Sequence, residues 1–278
     1  MANINGIKPW KLSAHIILIL VSLIFIFPFI YIIFTSIKTE ADILRDARLL
    51  TFKYSLENFR KIAYSGIKLG AFYRNSMVLT VVSVFFVVFL GSAGGYGFSK
   101  FHFFGRKALI VLMLVTITFP IAAILIPVFI IELGLGIDDT LLGLILPNIA
   151  VNVPFAIFIM QAIYKGIPDE LVDSAEIDGC GPFRTWFSIM LPISKNGLLV
   201  VTILTFGIVW GEFPLAVTLS SSARSYPLAV GLTFLRDEYW NFGIMSAVIL
   251  LAIIPPVIVF LVFRRYFQQG VAIGAVKG

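Results

Sequence analysis

The stretch GIPDELVDSAEIDGCGPF, Gly166 to Phe183, is a polar island in an otherwise apolar chain. The ten residues from 169 to 178 include five carboxylates and no basic residue: Asp169, Glu170, Asp173, Glu176 and Asp178. Pro168 suits the first turn of a helix, and the acidic residues after it complement the positive end of the helix dipole. Ile167, Leu171 and Ala175 recur every four residues, which predicts a helix with one apolar stripe.

A turn and a second helix follow. Gly179 stands where a helix ends in the left-handed conformation, and Gly181-Pro182 starts the chain again. Large apolar residues then recur at the spacing i, i+3, i+4, i+7, which predicts a short amphipathic helix ending at Pro192: Phe183, Trp186, Phe187 and Met190. Two interpretations stay open. The aromatic face either folds against the protein's own membrane side or enters the groove of a partner.

The composition around this island predicts a membrane protein. The chain has 278 residues, of which 59% are hydrophobic and 13% charged, and its mean hydropathy is +1.01. A soluble domain carries roughly a quarter charged residues. The net charge of +6 does not indicate a nucleic-acid partner, because the basic residues lie between apolar runs and suit a bilayer surface better. The single cysteine, Cys180, excludes an intramolecular disulfide and has no visible metal partner.

Six apolar segments reach the length of about 20 residues that a helix needs to cross a bilayer. They are 12–36, 77–98, 108–131, 141–164, 198–219 and 243–263, and the polar loop 165–197 lies between the fourth and fifth. The first is longer than the apolar part of a signal peptide and lacks a cleavage site, so we expect it to be a span. The sequence thus predicts an all-α membrane protein with one transmembrane domain over 1–278.

The basic residues orient these spans only weakly. The two termini and the loops on their side hold 11 lysines and arginines, against 10 on the other side. Eight of those ten lie in loop 37–76, among acidic residues that soften its charge, and without that loop the count is 11 against 2. The pattern favours cytoplasmic termini and a cytoplasmic loop 165–197.

Small and polar residues within the spans suggest contacts and a pathway. Gly91 and Gly95 share a helix face and allow close helix packing. Glu212 is the only acid inside a span, and such residues are functional candidates. Amides on the fourth span either line a pathway or bind a neighbouring helix: Asn148, Asn152 and Gln161. No G-x-x-x-x-G-K-[ST] motif occurs, so the chain does not bind ATP through a P-loop.

The polar island also resembles a family signature. Binding-protein-dependent ABC importer permeases carry E-A-A, three residues, G, nine residues, I, one residue, then L-P. This chain has Asp173-Ser174-Ala175, Gly179, Ile189 and Leu191-Pro192, with every spacing kept and two conservative substitutions, at 173 and 174. Three further segments are similar to those of maltose-type carbohydrate permeases, in particular the MalG-like subunit: RNSMVLT (74–80), GYGFSKFHFFGRK (95–107) and GVAIGAVKG (270–278).

The resemblance implies a transport subunit without catalytic residues, metal or cofactor of its own, in the cytoplasmic (inner) membrane. Its implied partners are a second, MalF-like permease, two ATPase subunits that hold ATP and Mg, and an extracytoplasmic sugar-binding protein. The implied ATPase-coupling residues are Asp173, Ser174, Ala175, Gly179, Phe183, Trp186, Phe187, Ile189, Leu191 and Pro192. The implied ATPase-contacting tail is Gly274, Ala275, Val276, Lys277 and Gly278.

The resemblance also implies that the outer loop 220–242 can enter the binding protein's cleft. Its aromatic residues suit sugar faces, and an ordinary interfacial aromatic belt is the alternative interpretation. The candidates for a substrate pathway or this binding-protein loop are Asn148, Asn152, Glu212, Tyr226, Tyr239 and Trp240.

Three alternatives remain. An ABC permease for another solute, such as glycerol phosphate, keeps every feature above. A self-sufficient secondary transporter usually has two related halves, and none are visible. An intramembrane enzyme needs convergent reactive side chains at membrane depth, where charged residues are nearly absent.

Overall fold

A computed structural model describes residues 9–45, 54–64, 68–238 and 241–275. These ranges are mostly helical and contain no β-strand. The helices are α1 (Pro9–Ser36), α2 (Glu40–Arg45), α3 (Glu57–Tyr64), α4 (Leu69–Lys100), α5 (Arg106–Thr118), α6 (Ile121–Leu135), α7 (Leu141–Lys165), α8 (Glu170–Ile177), α9 (Pro182–Thr185), α10 (Leu191–Ile193), α11 (Lys195–Trp210), α12 (Pro214–Leu219), α13 (Leu228–Glu238) and α14 (Phe242–Ala275). A π-helical segment, Trp186–Met190, lies between α9 and α10.

Four described helices are long and apolar enough to cross a membrane: α1, α4, α7 and α14. They contain the predicted spans 12–36, 77–98, 141–164 and 243–263. Two bent helix pairs, α5 with α6 and the segment Pro182–Ile193 with α11, bring the number to six if each pair counts as one span. The all-α membrane fold is therefore confirmed, with four of its predicted spans in single helices.

The other two predicted spans are not continuous helices. Between α5 and α6 the chain bends by 100°. There Phe119 is extended, because a residue before proline is disfavoured in the helical region, and Pro120 is extended as well. The predicted span 198–219 is interrupted after Trp210, and Pro214 begins α12 as its first residue. By contrast, α7 runs through two prolines without ending.

The chain divides into two compact units. One contains the described residues within 1–67 and 232–254. In this unit no side chain of α1 from 11 to 34 is buried, as expected for a helix that faces lipid. The buried Asn58 donates hydrogen bonds of 2.8 and 2.7 Å to the carbonyl oxygens of Ser36 and Lys38, which fixes α3 beside the end of α1.

The other unit contains the described residues within 68–231 and 255–278, and α4 packs against α7 at its centre. A Cβ atom added to Gly91 would lie 2.5 Å from the Cβ of Ala156, and one added to Gly95 would lie 2.6 Å from the Cβ of Met160. The predicted close packing at these glycines is confirmed. This contact fixes α4 and α7 against each other near the ends that hold the loop 165–197.

Candidate functional site

The first helix of the polar loop is α8 (Glu170–Ile177), and Gly179 terminates it in the left-handed conformation, as the sequence predicts. Gly179 has a φ of 76°, in the left-handed region. The N–H of Cys180 donates to the carbonyl of Ala175 at 2.8 Å, and the N–H of Gly179 donates to that of Glu176 at 3.0 Å. This pair of bonds is a Schellman motif, which satisfies the last carbonyl groups of α8. Gly179 thus turns the chain towards α9.

The predicted apolar stripe of α8 is only partly buried, because Ile167 is half-buried and Leu171 is exposed. Ala175 is buried against the rest of the unit, with 3% exposure. The five carboxylates are all exposed, together with the motif residue Ser174: Asp169, Glu170, Asp173, Glu176 and Asp178. Three other motif residues lie at or after the end of the second helix, where Ile189 and Leu191 are half-buried and Pro192 is exposed. The carboxylates therefore lie on the water-facing side of the loop.

Two of the three aromatic residues in the second helix of the loop are exposed, and the third is buried. Phe183 and Phe187 are 69% and 58% exposed, and their rings stack at a centroid distance of 6.3 Å and an interplanar angle of 9°. Trp186 is only 3% exposed. The prediction that Trp186 offers its ring to a partner is therefore wrong. The π-helical segment begins at this residue, and the indole ring turns into the unit's own core.

A buried hydrogen-bond network explains the position of Trp186. Its indole Nε1 donates to the hydroxyl of Ser92 on α4 at 3.1 Å. The Ser92 hydroxyl lies 2.6 Å from the phenolic oxygen of Tyr164 on α7, and Ser194 donates to that oxygen at 3.3 Å. All four side chains are at least nine-tenths buried. The network therefore joins the second helix of the loop to α4 and α7.

A second anchor holds the start of α8. The Nζ of Lys100, at the end of α4, donates to the carbonyl of Ile167 at 2.6 Å and to the carboxylate of Asp169 at 2.5 Å. The Lys100 side chain is 5% exposed, whereas that of Asp169 is 80% exposed. Sequence reasoning missed both anchors, because their members lie 30 to 94 residues apart. The loop is thus fixed on one face and presents Phe183 and Phe187 on the other.

The pathway candidates of the fourth span are buried and bind backbone groups. The amide of Asn148 donates to the Leu144 carbonyl and that of Asn152 to the Asn148 carbonyl, both within α7. Gln161 instead donates to the Phe98 carbonyl of α4, at 3.0 Å. Gln161 therefore binds a neighbouring helix, which is one of the two interpretations left open for these amides. Asn148 and Asn152 instead bind within their own helix.

Glu212 lies in the break between α11 and α12. Its two carboxylate oxygens accept hydrogen bonds from the backbone N–H groups of Leu215 and Ala216, at 2.6 and 2.9 Å. A carboxylate at this position stabilises the first turn of a helix. The side chain is 8% exposed, and both of its oxygens bind the first turn of α12.

The candidates of the outer loop are only partly described. Tyr226 is half-buried and meets the ring of Phe72 edge-on, at a centroid distance of 6.2 Å. Tyr239 and Trp240 lie outside the described residues, as do the last three residues of the predicted tail, Val276, Lys277 and Gly278. Gly274 and Ala275 belong to the last turn of α14. No group of three or more His, Cys, Asp or Glu residues suited to a metal occurs in the described ranges.

The family model described as "binding-protein-dependent transport system inner membrane component" matches residues 87–273. The diacetylchitobiose uptake system permease protein NgcG of Streptomyces coelicolor is 29% identical, over 95% of this chain and 88% of its own. The arabinooligosaccharides transport system permease protein AraQ of Bacillus subtilis is 29% identical, over 97% and 96%.

A solved bacterial ABC transporter involved in alginate import has the same fold, with a TM-score of 0.81 and 22% sequence identity. The likeness covers 93% of this chain and 96% of that chain. The family match extends through α7, the polar loop and most of α14. The chain is therefore a multi-pass inner membrane protein of the binding-protein-dependent transport family, whose members are permease subunits of ABC importers and not enzymes.

Proposed function

We propose that this permease imports a sugar or oligosaccharide, and that the loop 165–197 couples it to a separate ATPase. The substrate class is supported by NgcG and AraQ, whose names state diacetylchitobiose and arabinooligosaccharide transport. In the proposed orientation both termini and this loop are cytoplasmic. ATP-driven closure of the ATPase dimer then moves the loop, and the spans alternate between inward-open and outward-open states.

One observation carries the coupling role. Phe183 and Phe187 form an exposed stacked pair on a helix whose opposite face is anchored by Trp186. Exposed aromatic side chains on a short helix suit a hydrophobic groove of a partner, where aromatic residues contribute most to binding. Because the anchored face is bonded to α4 and α7, a displacement of this pair moves those helices as well.

The proposed assembly contains a second permease, two ATPase subunits and an extracytoplasmic sugar-binding protein. ATP and Mg belong to the ATPase subunits, and we expect this chain to bind no cofactor. The tail 274–278 is proposed to contact the ATPase dimer. The loop 220–242 is proposed to face the binding protein on the outer side.

The coupling role is tested with a double variant, Phe183→Ala with Phe187→Ala. We expect the purified assembly to lose most of its bound ATPase and its uptake, because two aromatic anchors contribute about 2 kcal/mol or more each at a binding hot spot. The matched control is Phe25→Ala with Phe27→Ala on α1, where the exposures are nearly the same, 71% and 58%. Equal ATPase retention in both double variants contradicts the docking role.

The substrate class is tested with the complete transporter in proteoliposomes. The probes are labelled diacetylchitobiose, arabinooligosaccharides, trehalose and glycerol phosphate, each supplied with the binding protein of this transport system. Uptake of at least one saccharide supports the carbohydrate assignment. Uptake of glycerol phosphate alone assigns the alternative solute class, and uptake by this chain without its partners contradicts the assembly.

A further inference from the structure

The turn between α6 and α7 contains an acidic side chain that binds a distant part of the chain. Asp139 has a φ of 53°. Its Oδ1 accepts hydrogen bonds from the N–H groups of Ser221 and Ser222, at 2.8 and 2.9 Å, and from the hydroxyl of Ser225. Its own N–H donates to the Leu219 carbonyl at 3.2 Å. One residue therefore holds the stretch that follows α12 through four hydrogen bonds.

Two residues at the start of α4 hold the next part of the same stretch. The amide of Asn75 donates to the carbonyl oxygens of Arg224 and Tyr226, at 2.9 and 3.0 Å. The hydroxyl of Ser76 accepts from the N–H of Leu228 at 2.7 Å. Asn75 and Ser76 are both buried, with 0% and 2% exposure. The stretch 219–228, here named the clamped segment, is thus bound from two separate elements.

The helix before the clamped segment is also held at its beginning. Glu212 binds the first turn of α12, and Leu215, Ala216 and Leu219 bury their side chains in the unit's core. The carboxylate of Glu212 therefore holds the first turn of this six-residue helix, and the backbone N–H of Asp139 binds its last residue, Leu219. Backbone groups that bind charged acceptors open less readily than those exposed to water.

From this geometry we infer that Asp139 is a positioning residue for binding-protein docking, because it holds the base of the outer loop in one conformation. The inference rests on the proposed function, in which the clamped segment lies on the outer side. It leads directly into α13 and the rest of the loop 220–242. A loop that is ordered before docking loses less conformational entropy on binding, so its partner binds more tightly.

The test uses variants of the complete transporter. Asp139→Gly removes the acceptor and tolerates the positive φ without strain, whereas Asp139→Asn keeps an oxygen acceptor and a residue type suited to that φ. Asp138→Gly is the matched control, because the neighbouring Asp138 makes no hydrogen bond to the part of the chain that the structure describes. Ser225→Ala removes one donor and serves as a milder variant if Asp139→Gly does not assemble.

Two measurements are made on each variant. Amide hydrogen exchange of Ser221 and Ser222 reports the clamp itself, and we expect Asp139→Gly to accelerate it by at least about tenfold. ATP hydrolysis as a function of binding-protein concentration reports docking. We expect Asp139→Gly to raise the half-saturating concentration about fivefold to tenfold and to leave the rate without binding protein unchanged. Asp139→Asn should restore both values to within about twofold.

The outcomes separate the inference from the proposed function. Unchanged exchange in Asp139→Gly overturns the clamp. Faster exchange with an unchanged half-saturating concentration overturns the positioning role and leaves a purely structural one. An equal effect of Asp138→Gly also overturns it. If the wild-type assembly shows no stimulation by binding protein, the proposed function fails, and the exchange data still decide whether Asp139 holds the segment.

Discussion

At the scale of single residues, the course of the polar loop depends on the backbone of Gly179. Its φ of 76° lies in the region that residues with a side chain avoid. A Cβ atom at this position would meet no atom within 4 Å, so the obstacle to substitution is conformational and not steric crowding. A larger residue therefore distorts the turn between α8 and α9 without disturbing the core.

We expect Gly179→Leu to leave the protein in the membrane and to weaken ATPase docking. The left-handed conformation costs a residue with a side chain roughly 1–2 kcal/mol, which favours another path for the loop. The measurements are ATPase co-purification and substrate uptake. Gly181→Leu is the control, because Gly181 has a φ of −71° and equally open surroundings. Unchanged co-purification and uptake in Gly179→Leu would contradict the coupling assignment.

Asp139 provides a pH prediction at the same scale. Burial alone raises its pKa, but the hydrogen bonds from Ser222, Ser225 and Ser221 outweigh burial and lower the pKa from 3.8 to about 2. A carboxyl group with a lowered pKa contributes stability that is complete above its unfolded pKa and is lost as the pH falls through its folded pKa. The clamp should therefore be constant from pH 8 to about 5 and weaken only between about 4 and 2.

Amide exchange of Ser221 and Ser222 checks this prediction, after correction for the intrinsic pH dependence of exchange. The matched measurement on Asp139→Asn should show no such transition. A transition in the wild type near pH 6 contradicts the prediction, because it requires a raised pKa for the carboxyl group that holds these amides.

At the scale of elements, the loop 165–197 is joined to α4 and α7 by polar bonds inside an apolar core. The hydroxyl of Tyr164 is the centre of this junction, with Ser92 and Ser194 as its partners. A nearby tyrosine offers a direct comparison. The ring centroids of Tyr96 and Tyr164 lie 6.0 Å apart. The buried hydroxyl of Tyr96 has no hydrogen-bond partner among the described residues.

We expect Tyr164→Phe to destabilise the purified protein by about 1 kcal/mol, because a buried hydrogen-bonded hydroxyl is lost while Ser92 and Ser194 keep their other bonds. Tyr96→Phe should be neutral or slightly stabilising, since it removes a buried hydroxyl without a partner. Thermal unfolding in detergent measures both variants. Equal losses of stability in the two variants would show that the network contributes nothing specific.

At the scale of the whole molecule, the orientation in the membrane decides which surfaces meet which partners. Cys180 is the only cysteine of the chain, it is half-buried, and it follows Gly179 in the polar loop. A membrane-impermeant thiol reagent should label Cys180 from the cytoplasmic side only, in inverted vesicles stripped of ATPase. Cys180→Ser is the control for specificity. Labelling from the outside of intact cells would reverse the proposed orientation.

Local patterns in the sequence determined several features without help from the fold. Apolar length predicted the helices α1, α4, α7 and α14, and residue spacing predicted the left-handed end of α8 and the close contact at Gly91 and Gly95. These features depend on residues within a few turns of one another, or on the absence of a side chain. They are therefore visible in a single stretch of chain.

Only the tertiary structure decided which aromatic and acidic residues turn inwards. Trp186 belongs to the same periodic pattern as Phe183 and Phe187. Its indole nevertheless lies in the core, where it donates to the hydroxyl of Ser92, 94 residues earlier. No local pattern distinguishes Asp139 from other loop acids, and the partners of its side chain lie 82 to 86 residues away. A buried polar group needs a hydrogen-bond partner, and that partner can come from any part of the chain. These pairings therefore depend on how the helices pack, which the periodicity of a single segment does not predict.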